Sequence, residues 1–367
     1  MKISVALATY NGARYLREQL DSIALQTMQP SELVVSDDGS TDETLQIVRE
    51  FAQRASFPVR ILAKEKNLGF SDNFLFCASH CEGDLIAFCD QDDVWLPEKL
   101  KIAHDRIIED GSLLTIHKQI LVDENLRPLG EWDQGITHDE VVQPLTLDLI
   151  RGACGNTLMI RSELIHDVPY QDRPQQPEEN HKPLAHDTWF FILAAALGTV
   201  SRIDKSLILY RQHGNNVYGV SARTWKEKLA HRIHINMTRI KERRDFYLSF
   251  TKIFSNLAEK DSPLKKQADL AEKVYLNRMI PLSMMIRIYE AKGIQNRLDA
   301  FKRLHFPRKY TKNIDPSLIV NGHTCEELIL DDGQKIYREI TPAMQQAMRR
   351  GSMTAIIKDA IFGVICG

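Results

Sequence analysis

The sequence predicts an α/β protein built on a mostly parallel sheet, followed by a helical C-terminal region. Short apolar runs, such as Leu33–Val35 and Leu85–Cys89, alternate with segments of helical periodicity. Apolar runs of this length that end in polar residues are typical of buried parallel strands. Their alternation with helices predicts right-handed crossovers and helices on both faces of the sheet. Acidic residues follow both runs: Asp37 and Asp38 after the first, and Asp90-Gln91-Asp92-Asp93 after the second.

Each predicted element has its own signal in the chain. Strands are predicted where apolar residues run together, at Ile3–Leu7, Leu33–Val35, Val59–Leu62 and Leu85–Cys89, and further along near Leu113–Ile116, Asn156–Ile160 and Leu207–Tyr210. Helices are predicted where apolar residues recur every three or four positions, on the faces Leu16/Leu20/Ile23, Leu45/Val48/Ala52, Phe74/Ala78/Cys81 and Leu100/Ala103/Ile107. Helix ends are marked by residue type: Ser40 and Glu43 match a capping box, Pro97 suits a first turn, and Asp187 opens a helix that Gly198 ends.

Length and charge predict two domains. A chain of 367 residues is too long for one ordinary core. Strand signals fade after about residue 220, so we expect one domain at residues 1–220 and a basic, mainly helical domain at residues 221–367. The latter holds 27 Lys and Arg against 16 Asp and Glu, a net charge of +11, whereas residues 1–220 carry −13. An acidic front half suits a metal site, and a basic back half suits nucleic acid or a membrane surface.

Composition and hydropathy exclude several classes of protein. With 43% apolar and 26% charged residues and no low-complexity tract, the composition is typical of a soluble globular protein. Its longest helical apolar stretch, Phe190–Leu197, is well short of the ~20 residues that cross a bilayer, and Met1–Leu7 is too short for a signal peptide. The six cysteines show neither metal spacing nor a paired framework, which predicts a reducing cytoplasm and no zinc.

The segment Asp90-Gln91-Asp92-Asp93, called the acidic motif below, predicts a metal and a phosphate-bearing ligand. Carboxylates at the C-terminal ends of parallel strands lie where open α/β sheets bind ligands. Several acids crowded at one edge repel each other unless a cation lies among them. A hard cation such as Mg²⁺ or Mn²⁺ takes carboxylate and phosphate oxygens, so we expect one of these ions at this edge.

Five motifs in order along the chain resemble those of a family 2 glycosyltransferase of the GT-A fold, a Rossmann-like architecture. They are Ala8-Thr9-Tyr10-Asn11-Gly12, Asp37-Asp38-Gly39-Ser40-Thr41-Asp42, Asn67-Leu68-Gly69, the acidic motif and His186-Asp187. The segment from Tyr210 to Val217 resembles the bacterial rhamnosyltransferase-like branch, which builds O-antigen and capsule. The resemblance covers roughly residues 1–220. Each motif alone is modest support, whereas five in order, each at an expected strand end, are strong support.

This resemblance implies a donor site after the first two strands. Thr9, Tyr10 and Asn11 would cradle the nucleoside base and ribose, with the Tyr10 ring stacked on a pyrimidine. Asp38 would accept a hydrogen bond from the N3–H of that base. The bland alternative is that Asp38 belongs only to a turn and cap before the next helix. Asp37 suits a base contact and structural support equally well.

The same resemblance implies how the diphosphate is held. Asp92 would bind the metal directly, and Asp90 would lie nearer the ribose or a metal-bound water. Asp93 is interpreted as a cap at the start of the next helix. Arg211 would help to close over the diphosphate, and His213 would touch the metal or the phosphate. A lone histidine is more often a structural residue, which is the alternative for His213.

For catalysis, the resemblance implies that Asp187 is the general base. It would take a proton from the acceptor hydroxyl in a single inverting displacement; its alternative role is an N-cap. His186 would orient this base. On the acceptor side, Trp189 is either a sugar platform or a core aromatic. Arg151, in a glycine-containing loop, either pairs with phosphate or belongs to a plain turn.

The resulting prediction is a metal-dependent inverting glycosyltransferase. It would move L-rhamnose from dTDP-rhamnose to a hydroxyl of a lipid-linked oligosaccharide, in surface polysaccharide biosynthesis. Alternatives are a UDP-hexose-dependent transferase of the same fold, a nucleotidyltransferase, and a non-catalytic nucleotide-sugar-binding protein. The turn from Thr9 to Ala13 lacks the Lys- or Arg-bearing glycine-rich loop of a nucleotidyltransferase. Retention of Asp90, Asp92 and Asp187 together disfavours a non-catalytic protein.

The basic C-terminal region predicts a cytoplasmic protein that is peripheral on the inner face of the cell membrane. Basic residues concentrate between Arg223 and Arg244, and Arg349 and Arg350 precede an apolar tail that includes Ile356 and Phe362. A basic segment followed by a dense apolar one suits an anionic membrane interface. The alternative is a solvated helical face with a docked tail, or contact with a partner protein. No recognition fold accompanies the charge, so nucleic acid is not expected.

Overall fold

The computed structural model describes residues 1–64, 66–146, 153–176, 182–214, 237–290, 319–320, 323–329 and 335–339. The chain divides into two compact units: Met1–Arg173 with Pro183–Arg223, and Pro174–Lys182 with Thr224–Gly367. The predicted domain boundary near residue 220 lies outside the described residues and stays a prediction. No helix in the described ranges combines the length and hydropathy needed to cross a membrane.

The first unit is built on one mixed sheet. Its strands, within the described residues, are β1 (Ile3–Thr9), β2 (Glu32–Asp37), β3 (Val59–Ala63), β4 (Leu85–Cys89), β5 (Val94–Trp95), β6 (Leu114–Val122), β7 (Pro128–Trp132), β8 (Glu140–Val142), β9 (Met159–Arg161) and β10 (Val200–Arg211). The strand order is β3-β2-β1-β4-β9-β6-β10-β5, with β7 on β6 and β8 on β10.

Six strands of this sheet point in one direction. The pairs β3–β2, β2–β1, β1–β4 and β6–β10 are parallel. Strand β9 is antiparallel to both of its neighbours, β4 and β6, so β4 and β6 run the same way. The carboxyl ends of β1, β2, β4, β6 and β10 therefore meet at one edge. The mostly parallel α/β sheet predicted from the sequence is confirmed.

Helices cover both faces of this sheet because strand side chains alternate between its sides. The helices are α1 (Ala13–Ala24), α2 (Thr44–Arg54), α3 (Phe70–Ser79), α4 (Lys99–Glu109), α5 (Glu163–His166) and α6 (His186–Leu197), with 3₁₀ turns at Gly155–Thr157 and Tyr170–Asp172. One core joins α1, α2 and α4 to the side of β4 that carries Ala87 and Cys89. On the other side, the Phe88 ring packs on Phe74 of α3 and Phe190 of α6.

Two details of the helix starts differ from the sequence prediction. Helix α2 begins at Thr44 after Glu43, whose side chain forms no cap hydrogen bond; the Thr44 N–H donates instead to Asp42 Oδ1 at 3.0 Å. Ser40 does not form the predicted capping box, because its hydroxyl donates to Asp37 and accepts from the Asn11 N–H. Asp187 lies in the first turn of α6 rather than at its N-cap, which is Ala185.

The second unit contains two long helices, α7 (Met237–Glu259) and α8 (Lys265–Glu290). They pack through aromatic rings around the buried Tyr275, whose ring lies 4.9 Å from that of Phe254 and 5.6 Å from that of Phe250. The predicted helical character is confirmed for these segments. A small antiparallel sheet that the sequence did not predict follows in the order β11 (Ile319–Val320), β12 (His323–Ile329), β13 (Lys335–Glu339).

Candidate functional site

The turn after β1 exposes one aromatic ring above a fixed backbone. Tyr10 is 51% exposed, and its backbone is bound in both directions by Gln91: the Tyr10 N–H donates to Oε1 at 2.9 Å, and Nε2 donates to the Tyr10 carbonyl at 3.1 Å. Gln91 is the second residue of the acidic motif and was not predicted to have a role. It joins the end of β1 to the end of β4. The backbone that carries the Tyr10 ring is therefore held by the same segment that carries Asp90 and Asp92.

Thr9 and Asn11 support this turn through their side chains, Thr9 from a buried position and Asn11 from an exposed one. Thr9 is buried, and its hydroxyl donates to Asp37 Oδ1 at 2.8 Å. Asn11 has a positive φ of 47°, which is uncommon outside glycine and tolerated by asparagine. Its side-chain oxygen accepts from the Thr41 N–H at 2.9 Å. Asp37 also accepts from the Ser40 N–H, so of its two interpretations the structural one fits these contacts.

Asp38 holds the loop that precedes α3. Its two carboxylate oxygens accept from the Leu68 and Gly69 N–H groups, each at 2.8 Å. Gly69 has φ +86°, a backbone conformation that favours glycine. A carboxylate oxygen has two lone pairs, so a base N–H would have to share Asp38 with this loop. The side chain is almost completely buried.

The acidic motif lies at the centre of the edge. Asp90 is half-buried, and burial together with the charges of Asp92 and Asp187 raises its pKa to about 8. Asp93 is fully buried and accepts from Asn156 Nδ2 at 2.8 Å and from the Arg211 N–H at 3.0 Å. It does not cap a helix, since α4 begins only at Lys99. Asp93 therefore ties the motif to β10 and to the 3₁₀ turn.

Arg211 is a buried cross-link, and its contacts replace the direct diphosphate contact predicted for it. The side chain is 1% exposed. Its guanidinium donates to the backbone carbonyls of Asp92 at 2.8 Å and Glu124 at 2.5 Å, pairs with Glu18, and lies 4.4 Å from the Tyr15 ring centre. Because these groups surround the guanidinium, its role in this geometry is to hold Asp92.

The two residues predicted to bind metal are brought together. His213 Nε2 lies 2.8 Å from Asp92 Oδ2, and the His213 ring packs 5.0 Å from that of Tyr15. Within the described ranges, no three His, Cys, Asp or Glu side chains form a complete metal site. Two protein ligands supplemented by diphosphate oxygens and water are typical of Mg²⁺ at nucleotides. Ligand atoms of a six-coordinate Mg²⁺ lie about 3 Å apart, so this pair fits Mg²⁺ or Mn²⁺.

Asp187 faces the acidic motif from the start of α6. It is close enough to raise the pKa of Asp90, and its own Oδ1 accepts from the Thr188 N–H at 2.5 Å. His186 does not hydrogen-bond to Asp187: its ring stacks 4.2 Å from that of Phe74, and neither ring nitrogen has a partner among the described residues. Burial lowers its pKa to about 4. A Cβ at Gly155 would lie 2.6 Å from His186 Nε2, so this glycine allows the turn to pack against α6.

The structure corrects one of the two residues that were predicted on the acceptor side. Trp189 is 0% exposed, so it is a core aromatic and not a sugar platform. Arg151 lies outside the described residues. An exposed ring near Asp187 belongs instead to Phe70, which is 38% exposed and lies 6.2 Å from the His186 ring. The His186 N–H also donates to Ser71 at 2.9 Å, which brings the starts of α3 and α6 together.

A buried lysine lies beneath the motif and was missed by the sequence analysis. Lys99 Nζ lies 2.7 Å from His117 Nε2 and 2.8 Å from the Asn156 carbonyl oxygen. Burial lowers its pKa to about 7, although Asp93 and Asp90 oppose this shift. A lysine two residues after Pro97 looks like an exposed helix start in sequence, and no local pattern distinguishes it.

Comparison with known proteins identifies the family to which this sequence is similar. Residues 4–168 match the model of glycosyl transferase family 2, a region that ends before Asp187. The dTDP-rhamnosyl transferase RfbG of Shigella flexneri is 38% identical over 229 residues, which cover 59% of this chain and 74% of that protein. An uncharacterized glycosyltransferase of Nostoc is 28% identical over 244 residues, covering 65% of this chain and 73% of that protein.

Among solved structures, that of S. aureus TarS 1-349 in complex with UDP has a TM-score of 0.49 and 21% sequence identity. The alignment covers 92% of this chain and 99% of the TarS chain.

Proposed function

Because this chain belongs to glycosyl transferase family 2, we propose that it transfers a sugar from a nucleoside-diphosphate donor to an acceptor hydroxyl with inversion. The observation that carries this proposal is the meeting of three groups at one sheet edge. They are the exposed Tyr10 ring, the Asp92–His213 pair and the Asp187 carboxylate. Such an edge is where open α/β sheets bind ligands.

In the proposed reaction, each group has a separate task. Tyr10 stacks on the base, and Asp38 accepts from it through the lone pairs that the Leu68 and Gly69 N–H groups leave. Asp92 and His213 would hold Mg²⁺ or Mn²⁺, which when bound neutralises charge on the leaving diphosphate. Asp187 removes the proton of the attacking acceptor hydroxyl, and the bond from the anomeric carbon to the diphosphate oxygen breaks on the opposite side.

The donor we propose is dTDP-L-rhamnose, with a UDP-hexose as the alternative. RfbG is named as a dTDP-rhamnosyl transferase, and its similarity extends over more than half of this chain. Thymine and uracil differ by one methyl group, and both offer the N3–H that a carboxylate accepts. We further propose a lipid-linked oligosaccharide as acceptor, at the inner face of the cell membrane, because residues 221–367 carry a net charge of +11.

A donor panel tests this function. The purified chain is incubated with Mn²⁺ and with dTDP-rhamnose, UDP-glucose or UDP-galactose, and release of the nucleoside diphosphate is followed. We expect dTDP-rhamnose to be cleaved faster than either UDP-hexose, and an Asp92→Asn variant to lose that cleavage; faster cleavage of a UDP-hexose would favour the alternative donor. A nucleoside triphosphate with a sugar 1-phosphate is the contrasting substrate pair. Pyrophosphate release from that pair, with no cleavage of any nucleotide sugar, would indicate a nucleotidyltransferase.

A further inference from the structure

Lys99 is a buried cation without a carboxylate partner. It is the first residue of α4 and is 2% exposed. Its ammonium contacts His117 Nε2 and the Asn156 carbonyl and lies 4.8 Å from the Trp95 ring centre. Among the described residues it forms no ion pair. Burying an ammonium costs several kcal/mol unless other interactions offset it, so its retention here calls for a reason beyond packing.

The charge of this pair resides on Lys99. His117 Nδ1 lies 2.7 Å from the Lys118 carbonyl oxygen, which can only accept, so Nδ1 carries the proton. Nε2 then has a lone pair that accepts from the Lys99 ammonium. Burial and the neighbouring lysine lower the pKa of His117, which keeps the ring neutral. The histidine therefore solvates a positive charge without cancelling it.

That charge is coupled to the acidic motif by one short path. The Asn156 carbonyl accepts from Lys99, and its side-chain amide donates to Asp93 Oδ2 at 2.8 Å. Burial lowers the pKa of Lys99, and the nearby Asp93 and Asp90 carboxyl groups oppose that shift. Arg211, the other buried cation of this region, is already paired with Glu18, whereas Lys99 has only the neutral His117 ring and the Asn156 carbonyl as partners among the described residues.

We propose that Lys99 is a positioning residue whose positive charge acts in opposite directions on two affinities of this site. It lowers the affinity for the divalent cation and raises the affinity for the donor's diphosphate. The inference rests on the proposed function. Without the ammonium, the acidic motif attracts a cation more strongly and repels a diphosphate more strongly. The neutral site would then hold the metal tightly and the donor weakly, although no ligand atom had changed.

The test is a Lys99→Met variant, which keeps the length of the side chain and removes its charge. Mn²⁺ affinity of the nucleotide-free protein and dTDP or UDP affinity at saturating Mn²⁺ are measured at pH 6.5, below the pKa of Lys99. We expect Mn²⁺ to bind at least about threefold more tightly and the nucleotide at least about threefold more weakly. A merely structural role would weaken both. Unchanged affinities, or weakening of both, overturn the proposal.

Two further variants make the result decisive. His117→Gln keeps an acceptor oxygen for Lys99 and keeps the charge, so both affinities should stay near those of the wild type. If Lys99→Met does not fold, as judged by circular dichroism, Lys99→Gln replaces it, since a neutral amide can still donate to the Asn156 carbonyl. A wild-type protein that binds neither Mn²⁺ nor nucleotide overturns the proposed function, whereas normal wild-type binding with no split in the variant overturns this inference alone.

Discussion

Asp187 is the residue on which the proposed chemistry depends most directly. An Asp187→Asn substitution keeps the shape of the side chain and an oxygen for the Thr188 N–H, but it removes the base. We expect turnover to fall at least ~10²-fold, the range typical for loss of a general base, while dTDP binding stays unchanged. Single-turnover kinetics and titration calorimetry measure the two quantities. Asp105→Asn, at a surface carboxylate of α4, is the control, and wild-type turnover in Asp187→Asn would place the base elsewhere.

Asp92 carries the metal prediction. Excess EDTA should abolish transfer, and added Mn²⁺ or Mg²⁺ should restore it. Asp92→Asn should lower Mn²⁺ affinity and reduce turnover by about two orders of magnitude or more, because an amide lacks the negative charge that a hard cation prefers. Circular dichroism should show an unchanged fold. Full activity in EDTA would mean that the protein's own cations neutralise the leaving diphosphate.

At the level of single residues, the sequence predicted where the candidate site residues lie in the fold better than it predicted which residues they contact. Asp38 and Asp92 were expected at strand ends because a short apolar run precedes each, and the structure places them there. For Trp189 the sequence left a sugar platform and a core aromatic both open, and for Lys99 it predicted no role, because burial depends on partners far away in the chain. Gln91 occupies the variable position of a motif, where nothing local reveals its double contact with the backbone of Tyr10.

Arg211 joins β10 to α1 through its pair with Glu18 and its contact with the Tyr15 ring. Substitution of this arginine should therefore cause a measurable loss of stability. A lysine cannot reproduce its fork of donors, so Arg211→Lys should lower the free energy of unfolding by about 1.5–3 kcal/mol, the range for hydrogen bonds to charged groups. Urea unfolding measures this. The matched control is Arg14→Lys: its pair with Glu124 is exposed, and we expect a change within about 1 kcal/mol. Equal effects at both positions would contradict the role assigned to Arg211.

The order of elements was only partly predictable. Apolar runs locate β1, β2, β3 and β4, and short crossovers make their parallel pairing expected. They do not reveal that β9 lies antiparallel between β4 and β6. Periodicity predicts where a strand occurs in the chain, but not which strands it pairs with in the sheet. The capping box at Ser40 was a wrong prediction for a related reason: Asp37 and Asn11, both from strand ends, compete successfully for its hydroxyl.

For the whole molecule, the open prediction is membrane attachment. We expect the protein to co-sediment with anionic liposomes but not with neutral ones, and to be released by salt, because screening shortens electrostatic reach to ~8 Å at physiological ionic strength. Truncation after Arg350 should weaken binding while sparing donor cleavage, because the proposed catalytic residues precede it. Equal binding to both liposome types, or binding to neither, would favour a partner protein as the target of the basic region.

The contacts of Arg211 also bear on how such enzymes can be recombined. Its guanidinium reaches back 119 residues to Asp92 and 193 residues to Glu18. A hybrid that joins residues 1–95 of a relative to the rest of this chain would take α1 and the acidic motif from one parent and Arg211 from the other. The Arg211 side chain of this protein would then have to pack against an α1 helix that comes from a different protein. Exchange of donor preference between relatives should therefore transfer α1, the acidic motif and the end of β10 as one block, discontinuous in the gene but contiguous in the protein.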